Sequence, residues 1–441
     1  MDFSSLIARR RNDLWSTRFH WMSLLVGGAV LIYMCRDQWF FYDDWAFIGS
    51  QSFNNLWAPH GGHWSSVPYL IFWSLTAVFG LKSLPFLIVF VACHLFLVHV
   101  VWRLAVVSGV QEWIATIGAI TLIFLAPGYE NIVWFFQIGF VLGLALPLWG
   151  LLVVCTLGST VPNRVAVGVL LTLGLASSGT SLPITLIVCL LTVRFWGLRP
   201  AATALTAPVA LYLIWFGVFG IHFDGAAMRA TGWNQILVGV PQFASNMMIG
   251  AFGQLTPNDA IGSTVFVLAI IWLLVSALAW PKRQWTLGAL ALSGMIFALL
   301  SGYSRLRLGM FTALSSRYLY AVLILVFPLV LLFFTWLCRS LKGTVLLICI
   351  ALAALAVYNL GALKGHVADR VSISQESYRT IREAYKNDKE EGFTKDPGLQ
   401  VDPKWAPDLT YGTLRELVNS GKLVVSRPSD AVGEDRFDTI G

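Results

Sequence analysis

The sequence predicts an all-α polytopic membrane protein with about eleven transmembrane helices. Of its 441 residues, 57% are hydrophobic and only 12% are charged, and the mean hydropathy is +0.72. Soluble domains carry about 25% charged residues, and long stretches almost free of charge mark membrane spans. The net charge of +7 is scattered between the apolar runs, so it does not indicate nucleic-acid binding.

Apolar runs that are almost free of acidic side chains define the predicted spans. A perpendicular crossing needs about 20 residues, so the shorter runs must extend into flanking polar residues. A further run at 67–81 is too short to cross and begins with the polar segment His63-Trp-Ser-Ser-Val-Pro68, so we interpret it as a juxtamembrane or re-entrant helix. The predicted spans are 19–35, 84–106, 113–127, 133–158, 164–178, 181–194, 201–220, 262–280, 285–302, 318–338 and 343–362.

The distribution of lysine and arginine predicts the orientation, because short cytoplasmic loops carry the excess of these residues. If 67–81 does not cross, nearly all basic loop residues fall on one side, whereas a crossing there would send the later ones outside. We therefore predict a cytoplasmic N-terminus at 1–18, a transmembrane domain at 19–363 and an extracytoplasmic C-terminus. The basic residues on the cytoplasmic side are then Arg9, Arg10, Arg11, Arg18, Arg103, Arg164, Arg194, Arg199, Lys282, Arg283, Arg339 and Lys342.

The C-terminal segment 364–441 changes to a charged composition with few apolar runs. We expect a small tail or minidomain packed on the membrane part, since so short a segment cannot bury a large core. Within it, 372–389 is predicted as a polar helix, 396–407 as turns and extended chain, and 409–423 as a short amphipathic helix.

The predicted outer face collects most of the charged groups that the positive-inside trend does not explain. An aspartate pair follows the first span, inside the first predicted extracytoplasmic loop at 36–83, in Trp39-Phe-Phe-Tyr-Asp-Asp-Trp45. Adjacent carboxylates repel each other, which favours proton abstraction or cation binding, and arginine side chains fit phosphate oxygens bidentately. The same residues also have simpler roles open to them: the aspartates could cap a helix, Glu130 could be solvated, and the arginines could contact lipid headgroups. The outer-face candidates are Asp43, Asp44, His60, His63, Glu130, Arg305, Arg307 and Arg317.

An Asp-Asp pair directly after the first membrane helix resembles the motif of the GT-C glycosyltransferases, multi-pass enzymes that use polyprenyl-phosphate sugars outside the cytoplasm or in the lumen. His60-Gly-Gly-His-Trp-Ser-Ser-Val-Pro68 and Phe79-Gly-Leu-Lys82 are similar to the acidic loop, juxtamembrane helix and turn of that fold. Glu130 occupies the place where the family often has a second acidic residue. The resemblance covers the topology of roughly residues 1–200.

The resemblance implies an inverting transfer of a sugar from a polyprenyl-phosphate donor to a hydroxyl of a glycan, lipid or protein. Asp44 or Asp43 would be the general base, with Asp44 slightly favoured. Three arginines would stabilise the leaving phosphate, and five further residues would bind substrate. Asp43, Asp44 and Glu130, together with His63, could also hold a divalent metal such as Mg²⁺ or Mn²⁺. The arginines are Arg305, Arg307 and Arg317, and the substrate-binding candidates are Glu130, His60, His63, Trp45 and Gln137.

Two other functions remain open at this stage. A flippase or transporter of a lipid-linked intermediate would place charges near the bilayer midplane, whereas the charges of this chain collect at one face. A different lipid-phosphate-dependent transferase or ligase could use the same arginines. In each case the partners are membrane lipids rather than nucleic acids, and the expected location is a bacterial cytoplasmic (inner) membrane.

Overall fold

The computed structural model describes residues 3–49, 52–225, 227–276, 284–341 and 343–424, with side chains from residue 14 onward. Within these ranges, nine helices are long and apolar enough to cross a membrane, and four shorter apolar helices accompany them. Strand structure is limited to two short hairpins. The predicted all-α, multi-pass character is therefore confirmed. The basic side chains predicted at positions 9–11, 282, 283 and 342 lie outside the described side chains.

The elements follow one another with short connections. The helices are α1 Phe3–Cys35, α2 Asp44–Gly49, α3 Ser66–Phe79, α4 Ser83–Val107, α5 Glu112–Ile123, α6 Glu130–Val133, α7 Ile138–Thr156, α8 Val161–Leu175, α9 Ser181–Trp196, α10 Leu198–Val218, α11 Val240–Leu255, α12 Asp259–Ser276, α13 Trp285–Arg305, α14 Ser316–Ser340, α15 Thr344–Glu390 and α16 Tyr411–Asn419. The strands are β1 Pro59–His60, β2 His63–Trp64, β3 Gln400–Asp402 and β4 Ala406–Thr410. The run predicted as a short helix at 67–81 is α3.

Helix α14 is the centre of the bundle, and every side chain from Leu319 to Leu332 is buried. Helices in lipid gain stability from close packing rather than from a hydrophobic drive. Glycines on the neighbouring helices permit this packing: a Cβ added at Gly118 would lie 2.7 Å from Leu331, and one at Gly294 would lie 2.8 Å from Val326. Such contacts leave no room for larger residues.

Contacts between helix termini show which termini lie together at each end of the bundle. At one end, Gln111 N donates to Thr335 Oγ1 over 3.0 Å. At the other end, Glu130 N donates to Ser316 Oγ over 3.1 Å. The second end also carries the aspartate pair, and we call it the Asp43 end.

Helix α11 lies in a segment, 221–261, for which the sequence predicted no helix. Its first residue approaches the end of α13, where a Cβ added at Gly302 would lie 3.1 Å from Val240 O. Its last residue is held by Asn359 Nδ2, which donates to Leu255 O over 3.0 Å. Both contacts are at the Asp43 end. Although α11 is long and apolar, it therefore lies across that end instead of running from one end to the other.

Helix α15 differs from the prediction because it does not stop near 362. It is one uninterrupted helix of 47 residues, about 70 Å long at 1.5 Å per residue, and it includes the predicted polar helix 372–389. Its C-terminal half carries the β3–β4 hairpin and α16, and Leu409, Leu414 and Ile381 are all buried in the same hydrophobic cluster. The extended chain and the short helix predicted in this region are present, and residues 425–441 lie outside the described part.

Replacing Leu414 with alanine tests whether the C-terminal hairpin is held by this small core. Leu414 is fully buried, and a Leu→Ala cavity costs about 2–5 kcal/mol. We expect hydrogen exchange of the β3–β4 amides to accelerate, while the amides of α14 keep their protection. Leu399→Ala, at a position that is 52% exposed in the same region, is the matched control and should leave exchange unchanged. Equal effects of the two variants would contradict this packing.

Candidate active site at the Asp43 end

The aspartate pair lies in an aromatic turn between α1 and α2. The Asp44 side chain is fully buried, and its Oδ2 accepts a hydrogen bond from Phe41 N over 3.1 Å. Burial raises the pKa of Asp44 well above its ordinary value, and the backbone hydrogen bonds only partly oppose this rise. Asp44 therefore stabilises the turn through this hydrogen bond, and its side chain lines none of the cavities described below.

Tyr42 has a backbone φ of +54°, a conformation that non-glycine residues seldom adopt. Its N–H donates to Trp405 O, which ties this turn to the C-terminal hairpin. The reversal sends neighbouring side chains in different directions. The Tyr42 ring contacts Trp134 and Trp405, whereas Asp43 lines a separate cavity.

The cavity that contains Asp43 has a volume of about 200 Å³ and brings together residues from five separate parts of the chain. We call it the Asp43 cavity. It unites one carboxylate, two imidazoles and two guanidinium groups with aromatic and hydroxyl side chains. The lining residues are Asp43, Phe47, His60, Gly61, His63, Ser65, Pro68, Phe136, Gly139, Phe140, Ser177, Ser178, Arg305, Leu308, Thr312, Ser315, Arg317 and Tyr318.

The two histidines reach the cavity from the β1–β2 hairpin. Gly61 and Gly62 both have positive φ, +56° and +84°, as the two-residue turn that joins such strands requires. His60 and His63 are paired across the turn, and directly opposed residues project from the same face of a hairpin. The sequence His-Gly-Gly-His thus places two imidazoles side by side.

The hairpin is anchored on its far side. Trp64 stacks on Trp215 of α10 at a centroid distance of 5.5 Å, and Val67 N donates to Ala176 O over 3.0 Å. Gly179 lies directly against His63, since a Cβ there would be 2.5 Å from His63 Nδ1. These contacts fix the position of the His63 ring.

Two of the three predicted arginines line the Asp43 cavity. Arg305 is the last residue of α13 and Arg317 lies in the first turn of α14. The short 3₁₀ turns between these helices bring their ends together. Arg307 is exposed on that connection and is not among the cavity residues. The Arg317 Nε is buried and has no hydrogen-bond partner among the described residues.

The local environment shifts the pKa values of Asp43 and His63 in opposite directions. Burial raises the pKa of Asp43 above 3.8, and Asp408 of β4 raises it further. The positive Arg317 and the neighbouring His60 oppose that rise. Burial and the nearby Arg305 lower the pKa of His63 to about 4, so this imidazole is neutral at pH 7.

His60 also loses basicity on burial, although Asp43 and Asp408 oppose the fall in its pKa. The cavity therefore contains an aspartate whose ionised form is a stronger base than that of a free aspartate, together with two guanidinium groups. These are the elements of proton abstraction and of anion stabilisation.

The remaining predicted residues are not in the Asp43 cavity. The Glu130 carboxylate is paired with Arg370 of α15, with Oε1 2.8 Å from Nη2. Gln137 is fully buried, and Trp45 is a buried side chain that lines a separate cavity with His60 and Asp408. Trp45 and Gln137 therefore share no cavity with Arg305 or Arg317, whereas Glu130 lines with Arg317 a different cavity from that of Asp43.

The proposed metal ligands do not assemble. Asp44 is buried behind the turn and Glu130 is engaged by Arg370, so neither shares the Asp43 cavity with Asp43 and His63. Across the part of the chain that the structure describes, no three His, Cys, Asp or Glu side chains are grouped to hold an ion. The residues present do not fit the divalent metal suggested by residue type alone.

Sequence reasoning did not identify Arg370, Asp408, Ser177 or Ser178. Arg370 and Asp408 belong to the charged C-terminal segment, where one charged residue resembles the others in sequence. Ser177 and Ser178 fall at the end of the predicted span 164–178, and in the structure they lie in the short connection between α8 and α9. A connection that is both polar and short was the available signal for the serines, but nothing local distinguishes Arg370 or Asp408.

Gly179→Ala tests whether the His63 ring is held in place. The added methyl must displace the imidazole or the turn, and such overpacking costs about 1–3 kcal/mol. We expect a lower midpoint of thermal unfolding in detergent, and a smaller penalty when His63→Ala is also present. Gly158→Ala, where no atom lies within 4 Å, is the control. An unchanged midpoint for Gly179→Ala would show that the ring moves freely.

Comparison with protein-family models, with curated proteins and with solved structures gave no significant match.

Proposed function

We propose that this chain is a membrane glycosyltransferase that moves a sugar from a polyprenyl-phosphate donor to a hydroxyl acceptor. The observation that carries the proposal is the Asp43 cavity, where a carboxylate of raised pKa faces Arg305 and Arg317. A base and an anion-binding pair are the two elements that displacement of a phosphate from a sugar requires. The resemblance of the aspartate motif to GT-C enzymes supports the same reaction.

The proposal places this cavity outside the cytoplasm. With α11 lying across the Asp43 end and α3 not crossing, eleven helices remain to cross: α1, α4, α5, α7, α8, α9, α10, α12, α13, α14 and α15. Arg103, Arg194 and Arg339 then lie near the end opposite Asp43, where the positive-inside rule places the cytoplasm. A polyprenyl chain would stay in the bilayer while its phosphate reaches the arginines, and the expected location is the bacterial cytoplasmic membrane.

In the proposed mechanism, the Asp43 carboxylate takes the proton of the acceptor hydroxyl. The acceptor oxygen forms a bond to the anomeric carbon as the bond from that carbon to the phosphate oxygen breaks. Attack from the face opposite the leaving group inverts the configuration. The polyprenyl phosphate leaves with the additional negative charge, and Arg305 and Arg317 stabilise that charge.

The histidines have a different part in the proposal. Because His63 is neutral at pH 7, it adds no positive charge to the cavity. One of its ring nitrogens can donate a hydrogen bond and the other can accept one. His60 interacts electrostatically with both Asp43 and Asp408 and can orient the donor sugar. Asp44 does not reach the reactants and holds Asp43 in position.

Replacing Asp43 with asparagine removes the base and should lower the transfer rate about 10²–10⁴-fold. We expect labelled polyprenyl-phosphate sugar to bind to Asp43→Asn nearly as tightly as to the wild type. Because the Asp43 pKa is raised and its ionised form is required, wild-type kcat/KM should fall as pH decreases through a value above 3.8. Asp37→Asn, at an exposed aspartate of the same loop, is the control. Transfer by Asp43→Asn at the wild-type rate would refute the assignment.

The arginines are tested by changing Arg305, Arg307 and Arg317 separately to glutamine. A hydrogen bond to a charged group contributes about 1.5–3 kcal/mol, so loss of Arg305 or Arg317 should reduce kcat/KM for the donor by about 10–100-fold. Arg307→Gln removes the same charge outside the cavity and should behave as wild type. If Arg307 proves as sensitive as Arg317, the positive charge of the whole connection rather than the cavity geometry binds the donor.

A wild-type protein that transfers no sugar from any polyprenyl phosphate, but equilibrates such lipids between the leaflets of a vesicle, would instead support a flippase. The same purified protein and labelled lipids serve for both measurements.

A further inference from the structure

A second cavity opens at the Asp43 end on the other side of the aspartate turn. It has a volume of about 500 Å³ and is lined by Tyr42, Trp134, Trp405, Arg370 and Arg317, among others. A neighbouring space of about 310 Å³ shares Tyr129, Glu130, Arg317 and His366 with it. We call this second cavity the Tyr42 cavity. Its size is within the roughly 300–1,000 Å³ of small-molecule sites.

The Tyr42 cavity combines aromatic rings with charged hydrogen-bonding groups. Tyr42 contacts Trp405 and Trp134 edge-on, at centroid distances of 5.6 and 6.2 Å. Arg370 is held in place by Glu130 and by the Tyr129 hydroxyl, at 2.8 and 3.1 Å. The polar groups are therefore positioned before any ligand arrives.

Charge balance limits what this cavity can bind. Two cations, Arg317 and Arg370, face two carboxylates, Glu130 and Asp369. A phosphate or another anion would gain little binding free energy from a lining whose charges cancel. An acyl chain could not form hydrogen bonds with the charged groups of the lining. A neutral ring that has hydroxyl groups at its edge and C–H groups on its face suits both the aromatic and the charged parts.

The Tyr42 cavity also adjoins the reacting groups. Tyr42 and Asp43 are consecutive residues whose side chains line the two cavities. Arg317 lines both cavities. A ring held in the Tyr42 cavity thus adjoins the Asp43 cavity at Arg317, and a hydroxyl at its edge would extend past this guanidinium to the carboxylate proposed as the base.

We propose that the Tyr42 cavity binds the acceptor of the transfer and that this acceptor is a neutral carbohydrate. The inference rests on the proposed function, and it selects a glycan from the glycan, lipid and protein acceptors that remained open. It also assigns a role to the C-terminal hairpin, because Trp405 in the β3–β4 turn forms one wall of the site.

The test combines binding with turnover. Methyl glycosides of common hexoses and pentoses are titrated against the full-length protein and followed by saturation-transfer NMR. Transfer to the glycosides that bind, and hydrolysis of the polyprenyl-phosphate sugar by water, are then measured. The variants are Trp405→Ala and Asp369→Asn, the second at an exposed position where folding is not at risk. Trp233→Ala, at a side chain that is 79% exposed and away from the cavity, is the control.

We expect both variants to weaken glycoside binding and to raise the acceptor KM, by about tenfold for Trp405→Ala. The donor KM and the rate of donor hydrolysis should stay at wild-type values, as should every property of Trp233→Ala. No binding by the wild-type protein, or binding that is unchanged in both variants, overturns the inference. Binding with neither transfer nor donor hydrolysis retains the carbohydrate site and rejects the proposed function.

Discussion

The geometry of the Asp43 end depends on the burial of one carboxylate, that of Asp44. A carboxyl group without water is costly unless it is hydrogen-bonded or protonated, and here it accepts from Phe41 N inside an aromatic turn. This bond closes the turn and holds Tyr42 at positive φ. As a result, consecutive side chains diverge, and Asp43 and Tyr42 line two different cavities. The buried Asp44 thus fixes the backbone turn that carries Asp43.

A second constraint comes from the length of α15. Since this helix continues well beyond the bundle, it carries Arg370 to Glu130 and supports the hairpin whose Trp405 carbonyl accepts from Tyr42 N. The Asp388 carboxylate on α15 in turn binds the guanidinium of Arg415, with two contacts of 2.8 Å. Helix α16, which directly follows the C-terminal hairpin, is thus bound to the same helix that contributes to the Tyr42 cavity. Asp408 of this hairpin raises the pKa of Asp43.

Hydrophobicity and charge distribution were sufficient to predict the helical, multi-pass fold, because lipid permits few alternatives. These two signals failed to predict helices whose presence or end is not marked by a change in composition. Helix α11 contains polar residues such as Gln242 and Asn246, and it lies across the bundle end. In α15 the composition changes from apolar to charged while the helix continues, so a boundary based on composition falls inside the element.

The site shows the same division between what residue type predicts and what geometry decides. Residue type and sidedness selected Arg305, Arg307 and Arg317 equally, and only the 3₁₀ connection after α13 determines that Arg307 points away from the cavity. The resemblance to GT-C enzymes slightly favoured Asp44 over Asp43 as the base, whereas the burial of Asp44 leaves Asp43 as the carboxylate that lines the cavity. Arg317 would contact both proposed substrates, because it lines both cavities and its buried Nε has no hydrogen-bond partner in the part of the chain that the structure describes. A donor N–H left unpaired in this way is costly, and a ligand oxygen in either cavity would remove that cost. Binding of one substrate would then fix the guanidinium that the other contacts, so that donor and acceptor are expected to strengthen each other's binding.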